Sequence, residues 1–535
     1  MRRPHLLAAA IVALAFALRA PGLMEWWLNP DEGIYFSVLT HDRFADFWAE
    51  ALTTAHPPLY FLILRAIGVL TTEVLWFRAV ALVSGCAAVY VFVLLGRELG
   101  GPGSRGWAVG LLTGLLLAVS PRAIILSQVI RPYMLLILLL AGSLLLLLRY
   151  LRAPSTPRLV AHVACSITAV LLHYSAAMAL GVIGVLVVAD GVHRGLQRPE
   201  WRRLLAAQTL PLALLATLYV LHLREFSQSA ESVDTMACCL SAYLAHSPID
   251  VWYGLVGFHS LVAGEWLAVP AALLTLIGLG GAAFTRTWTP FLAAGAGFAV
   301  ALVASFLQQY PFGPTRHSFW LFVFVLPALG WALGTVFTAG RKAALIAGSA
   351  LVVLVVAAGP LTSVLDSEQR PRDISERVLR NAYMPAMAEV LDPQTTPQLV
   401  LISTETYRVL IPLFFRERQS AETSRNGLFS HFRWGERDVI VMPGRDFASL
   451  PSQLDLPNHL YQGMRTAEED FGLAPPRNGE AFLVLAGGYA SRGMTDLVDL
   501  ARQVESLGTT TSVPGLIAAS VDAEAYLRAL GRPAV

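Results

Sequence analysis

YMLLILLLAGSLLLLLRYL, residues 133–151, runs from Tyr133 to Leu148 without a charge. A hydrocarbon core about 30 Å thick asks for about 20 apolar residues of helix, so this stretch reads as a membrane span. Similar segments recur near 6–24, 79–96, 107–126, 204–222, 264–284, 288–308, 318–337 and 343–361. Leu159 to Ala189 is too long for one span, and His173-Tyr174 interrupts it, which predicts two short helices meeting near one membrane face. The spans then number about eleven. Composition agrees: 535 residues that are 55% hydrophobic and 14% charged would leave a water-exposed shell too poor in charge to stay soluble.

The formal net charge of +2 is close to neutral, so nothing points to nucleic acid as a partner, and placement of the basic residues matters more than their sum. Arg2, Arg3, Arg97, Arg105, Arg149 to Arg158, Arg194 to Arg203, Arg286, Arg341 and Lys342 sit in short loops that alternate with the spans. The positive-inside rule puts them, and the N-terminus, on the cytoplasmic side of the plasma (inner) membrane. The first apolar run has its small-x-small triplets inside it, so it reads as a retained anchor, not a cleaved leader. The other side receives the loop 25–72, the turn 120–132, the loop 223–262, the turn 309–317 and the tail. Cys86, Cys165, Cys238 and Cys239 form no CxxC and no zinc spacing, and read as packing residues.

After Leu361 the polarity becomes ordinary. Leu399–Ser403, Asp438–Met442 and Ala481–Ala486 read as buried strands, and Asp496 to Leu507 has helical periodicity. The fold class is therefore an all-α polytopic membrane domain over 1–362, followed by a soluble extracytoplasmic α/β domain over 363–535. The tail carries no GxGxxG, P-loop or metal motif, and reads as a structural or acceptor-docking domain.

Residues that break the apolar pattern collect in the outer loops. Asn29-Pro-Asp31-Glu32-Gly33 places two adjacent carboxylates beside a membrane, which is costly unless they face water or do chemistry. Ala55-His56-Pro57-Pro58-Leu59-Tyr60 leads stiffly into the apolar segment 59–70, which is short for a span and fits along the interface. Arg78, Ser120-Pro121, the run Ser127-Gln-Val-Ile-Arg131-Pro-Tyr133, and the turn Tyr310-Pro-Phe-Gly-Pro-Thr-Arg316-His317 follow in order.

In that order and topology the chain resembles the GT-C fold glycosyltransferases, in the branch of the protein O-mannosyltransferases and the aminoarabinose transferase of lipid A. The resemblance covers residues 1–360 and does not extend to the tail. It implies transfer of a sugar from a polyprenyl-phosphate donor, a membrane lipid, to an acceptor hydroxyl on a glycan, lipid or protein, by inverting single displacement. It implies Asp31 as the base and Glu32 as the group orienting the acceptor or a divalent cation such as magnesium or manganese. Arg78, Arg131 and Arg316, with their planar charged forks, suit the leaving phosphate, as does His56, where some relatives carry Lys. Tyr60, Tyr133, His173, Tyr174 and His317 are candidates to line a substrate cavity. The tyrosines also read as interfacial anchors, His173-Tyr174 as a pair satisfying a kink, and the arginines as snorkelling residues at helix ends. The competing classes are a transporter or flippase, which calls for ionisable groups in mid-span, and a non-catalytic scaffold whose soluble tail does the binding.

Overall fold

The structure, a computed structural model, describes residues 2–24, 28, 30–39, 41, 43–227, 240–284, 288–338, 391, 397–403, 407, 422–423, 429–442, 456–474, 480–487, 508–513, 516–523, 526 and 528. In chain order the helices are α1 (Arg2–Arg19), α2 (Pro30–Leu39), α3 (Phe44–Ala51), α4 (Leu59–Gly68), α5 (Val74–Gly100), α6 (Gly103–Val119), α7 (Pro121–Leu126), α8 (Tyr133–Arg152), α9 (Thr156–Leu172), α10 (Ala176–Arg194) and α11 (Arg198–Leu218). They continue with α12 (Pro248–Ala263), α13 (Ala268–Phe284), α14 (Trp288–Phe306), α15 (Phe322–Thr338) and α16 (Leu456–Phe471). Among the described residues five helical stretches are long and apolar enough to cross a membrane: Val74–Gly100, Tyr133–Arg152, Ala176–Arg194, Arg198–Leu223 and Arg316–Thr335. Gly103–Val119, Thr156–Leu172, Glu265–Gly281 and Leu292–Phe306 are shorter apolar helices of the same bundle. The chain is a multi-pass membrane protein. The expected span 343–361, the helix Asp496–Leu507, Cys238 and Cys239 lie outside the described residues.

The chain folds as two units: residues 1–24, 52–62 and 75–366 form one, and residues 25–51, 63–74 and 367–535 the other. In the first, α6 packs on α15 and α1, α8 on α9, and α10 on α14. One end of this bundle gathers arginines that the sequence placed on the cytoplasmic side. Arg152 and Arg149 pair with Glu98 at 2.7 and 3.6 Å, Arg194 donates to the carbonyl of Leu151 at 2.5 Å, and Arg97 lies over the Trp107 ring. Leucine, valine and alanine make up most of the buried core of the bundle among the described residues, so helix contacts rest on packing plus a few hydrogen bonds. His162 of α9 is one such point, with Nδ1 at 2.8 Å from Ser143 Oγ of α8 and Nε2 at 2.9 Å from the Gln208 amide of α11.

His173 and Tyr174 do separate two helices, α9 and α10, and α4 is ten residues long, too short to cross. The stretch 223–262, expected as a loop, contains all but the last residue of the 16-residue helix α12. Its start is a capping box, with Ser247 Oγ accepting from the Asp250 amide, Asp250 accepting from the Ser247 amide, and Pro248 opening the helix.

In the second unit, Ser37 Oγ donates to Glu50 Oε1 at 2.9 Å, and the other oxygen of Glu50 holds His41 Nε2, tying α2 to α3. The tail sheet has strands β1 (Leu399–Ser403), β2 (Glu422–Thr423), β3 (Ser430–Trp434), β4 (Arg437–Met442), β5 (Ala481–Gly487), β6 (Gly508–Val513) and β7 (Leu516–Asp522) in the order β2-β3-β4-β1-β5-β7-β6. Central β1 is parallel to β4 and β5, with Leu401 opposite Ile440 and Val484, and the remaining pairs are antiparallel. Buried on both sides, these strands are continuous apolar runs. Leu460, Met464 and Ala467, at helical spacing on α16, join Leu401, Ile440 and Val484 in one core.

Candidate active site

At the end of the bundle opposite the Glu98 arginines, short polar turns carry the candidate residues of the first unit. Ser120 caps α7, its Oγ accepting from the Ala123 amide at 3.5 Å and donating to the Leu261 carbonyl of α12 at 2.7 Å. Pro121 follows at the first helical position. The segment Ser127–Pro132 then turns the chain into α8, bringing Arg131 and Tyr133, both almost fully buried, to the bundle end.

The turn Tyr310–Arg316 reaches the same place from α14. Phe312 donates its amide to the Tyr243 carbonyl, Gly313 donates to Ser318 Oγ, and Thr315 Oγ1 caps the 3-10 turn Arg316–Leu321 by accepting from the His317 amide. Two glycines of α12 make room for it. A Cβ on Gly257 would lie 2.5 Å from Pro314 Cδ, and one on Gly254 would lie 2.7 Å from Phe312 Cδ1. Below the turn, Phe258 meets Phe298 and Phe322 edge to face, each at 5.7 Å between centroids.

These turns converge on His173. Its ring centroid is 5.0 Å from that of His56 and 5.1 Å from that of Tyr133, and it lies within electrostatic reach of His317, Arg131 and Arg316. His317 in turn lies within reach of Arg316, His56 and Arg131, and its ring meets that of Tyr310 at 5.7 Å. Three imidazoles and two guanidiniums from four separate chain segments therefore share one buried place. Burial, then the charges of Arg316 and His222, pulls His56 down to about 4. Burial first, then His56, His317, Arg131 and Arg316, holds His173 well below the ordinary imidazole range, and burial pushes the Tyr310 phenol up.

The tautomer of His173 follows from its neighbours. The Ser175 amide, which can only donate, reaches Nδ1 at 3.1 Å, so Nδ1 accepts and the neutral ring carries its proton on Nε2. That Nε2 is buried and has no hydrogen-bond partner among the described residues. A neutral donor beside two permanent cations is a setting for an anion with several acceptor oxygens.

Tyr60 is buried at the start of α4, and Arg78, buried on α5, donates Nη1 to the Leu23 carbonyl at 3.4 Å. Tyr174 is half-buried, its hydroxyl 2.6 Å from His222 Nδ1. Asp31 and Glu32 stand in the first turn of α2 in the second unit. Glu32 is buried, and the Asp31 side chain lies outside what the structure describes. Among the described residues no three His, Cys, Asp or Glu side chains group in a way that would hold a metal ion.

Arg19, Ser175 and His222 were not singled out in the sequence, and Tyr310 stood there only as the first residue of its turn. Arg19 ends α1 with no exposure at all. Its Nε donates to Ser127 Oγ at 3.0 Å, Nη1 to Ala118 and Ala15 carbonyls at 2.7 and 3.1 Å, and Nη2 to the Leu117 carbonyl at 2.9 Å. An arginine at the end of an apolar run is the signal that marks such a residue. Ser175 and His222 have no signal of their own, since each matters only through a neighbour distant in sequence or orientation.

No family model and no curated protein matches the chain. Among solved structures it is similar to ArnT from Cupriavidus metallidurans bound to undecaprenyl phosphate, with a TM-score of 0.54 and 16% identity over 97% of this chain and 98% of that one. The apo state of ArnT from the same organism gives 0.53 and 16% over the same shares. The archaeal oligosaccharyltransferase AglB from Archaeoglobus fulgidus, in complex with an inhibitory peptide and a dolichol-phosphate, gives 0.51 and 11% over 98% of this chain and 77% of that one. At these identities the likeness is one of fold. The chain has the GT-C fold, a many-helix membrane domain with a soluble α/β domain, that ArnT and AglB share.

Proposed function

We propose that the chain is a membrane glycosyltransferase that moves a sugar from a polyprenyl-phosphate donor to a hydroxyl of an extracytoplasmic glycan, lipid or protein. The observation that carries this reading is the convergence of Arg131, Arg316, His56, His173 and His317 at one end of an apolar bundle. A lipid whose tail lies among the helices presents its phosphate at such an end, and the guanidiniums grip its oxygens while His173 Nε2–H donates.

In the reaction the acceptor oxygen attacks the anomeric carbon as the bond from that carbon to the phosphate oxygen breaks, with inversion. The electron pair leaves on the lipid phosphate, where fixed cations are worth several kcal/mol in a preorganised site, about 3 by the scale of single oxyanion donors. The hydroxyl proton passes to Asp31 as the new bond forms, because a carboxylate of pKa about 4 cannot deprotonate a free alcohol beforehand. Glu32 orients the acceptor. We place the catalytic membrane domain at 1–362, the extracytoplasmic domain at 363–535 and the N-terminus in the cytoplasm, on the distribution of arginines between the two bundle ends.

The transporter reading finds less support. His162 in mid-bundle has both ring nitrogens bonded to Ser143 and Gln208, which makes it a helix tie and not a proton relay. The test is Asp31→Asn in purified protein supplied with undecaprenyl-phosphate sugars and membrane acceptors. Transfer is expected to fall at least ~100-fold, as for loss of a general base, with lipid binding retained. Undiminished transfer removes Asp31 from the mechanism.

A further inference from the structure

Helix α11 does not end as an α-helix. It passes into a π-helical turn, Tyr219–Leu223, of the kind that inserts a residue into the helical repeat and recurs at functional sites. Tyr219, Val220 and Leu221 are 51%, 63% and 69% exposed and face outward as apolar residues do on the lipid side of a bundle, while His222 alone is turned inward, at 5%. Its Nδ1 lies 2.6 Å from the Tyr174 hydroxyl. Its Nε2 is buried and meets no hydrogen-bond partner among the described residues. His222 also lies within electrostatic reach of His56, whose ring packs against His173.

The pair has a property the arginines lack. If the phenol donates to Nδ1, His222 Nε2–H is a donor and the phenol oxygen can accept. If Nδ1–H donates to the phenol oxygen, Nε2 accepts and the phenol O–H donates. In either tautomer the pair offers one donor and one acceptor. A phosphate has only acceptors and can use just the donor of such a pair, whereas a sugar hydroxyl, a donor and an acceptor at once, can use both of its groups.

We propose that His222 and Tyr174 form a subsite that reads a hydroxyl of the donor's sugar, next to the phosphate position marked by His173 and His56. This rests on the lipid-phosphate reading above and names the part of the site that selects among sugars. A site built to hydrogen-bond a substrate hydroxyl rejects analogues lacking it strongly, because its own buried groups are then left unpaired.

The experiment measures binding of bare undecaprenyl phosphate, and of undecaprenyl phosphate esterified to glucose, mannose, arabinose or aminoarabinose, to purified wild type, His222→Ala and Tyr174→Phe. Tyr174→Phe keeps the ring and guards against a folding defect in the other variant. Wild type is expected to bind at least one glycosylated lipid more tightly than the bare one. Both variants are expected to hold bare undecaprenyl phosphate within about twofold and to weaken the preferred glycosylated lipid about tenfold. Equal losses for bare and glycosylated lipid would assign the pair to the phosphate and overturn the inference, as would no loss for either. Wild type that binds none of these lipids would overturn the lipid-phosphate reading and this subsite with it.

Discussion

Replacing Arg19 by methionine keeps an unbranched apolar stem and removes the guanidinium fork. Two carbonyls at the end of α6, those of Leu117 and Ala118, then lose donors at 2.9 and 2.7 Å, and Ser127 Oγ loses one at 3.0 Å. A buried acceptor left bare costs ~1–3 kcal/mol, so the gross loss is ~3–9 kcal/mol. Relief of the guanidinium's own desolvation offsets several kcal/mol of it, leaving a net destabilisation of about 2–4 kcal/mol. The effect also travels locally. Ser127 ends α7 four residues before Arg131, and a Cβ on Gly85 of α5 would already lie 2.5 Å from its Oγ, so the serine has little freedom on that side. With Arg19 gone, the turn carrying Arg131 loses its anchor, and undecaprenyl phosphate affinity should fall about tenfold. Arg19→Lys, a single point charge on a flexible stem, should recover part of the stability and little of the affinity. Thermal unfolding in detergent, with lipid binding measured on the same samples, checks both. A methionine variant with wild-type unfolding temperature and wild-type lipid affinity would refute the anchoring role.

Gly257→Ala should push Pro314 and displace the turn bearing Arg316, at a cost of ~1–3 kcal/mol for overpacking, and weaken lipid binding several-fold; unchanged binding would mean that the turn yields freely. His162→Leu leaves Ser143 and Gln208 without their shared partner and should cost about 1 kcal/mol of stability with lipid affinity unaltered, which separates bundle ties from site residues in the same two assays. Because His56 is held at about 4 and His173 well below its ordinary range, the unfolded chain binds more protons than the folded one between about pH 4 and 6.5. Stability is then full above about pH 6.5 and declines as pH drops toward about 4; thermal unfolding across that range checks the sign, and a His56→Gln, His173→Gln double variant should flatten the decline.

The apolar runs were legible because a bilayer imposes a length and a composition that few other constraints imitate. The break at His173-Tyr174 was legible for the same reason: two polar residues divide a run too long for one span. Helix α12 was hidden inside a stretch read as a loop, although Ser247-Pro248-Ile249-Asp250 spells its capping box. In the tail, β1, β4 and β5 were readable as continuous buried runs. Gly508–Val513 was not, since its Thr-Thr-Thr-Ser composition carries no apolar alternation and pairing with β7 alone makes it a strand. The order of Arg131, His173 and His317 along the chain says nothing about their distance, which depends on how short turns are seated on α12. Arg19 closes an apolar run, but its partners at 117, 118 and 127 are far along the chain, and the inward turn of His222 depends on a π-helical irregularity that no periodicity reports.

The most direct measurement is the affinity of purified protein for undecaprenyl phosphate, compared with Arg131→Ala, Arg316→Ala and the double variant. Each charge-assisted contact is worth ~1.5–3 kcal/mol, so each single variant should lose about tenfold or more, and the double at least about a hundredfold, with unfolding temperatures close to wild type. Equal affinity in wild type and double variant would contradict a phosphate held between these two arginines.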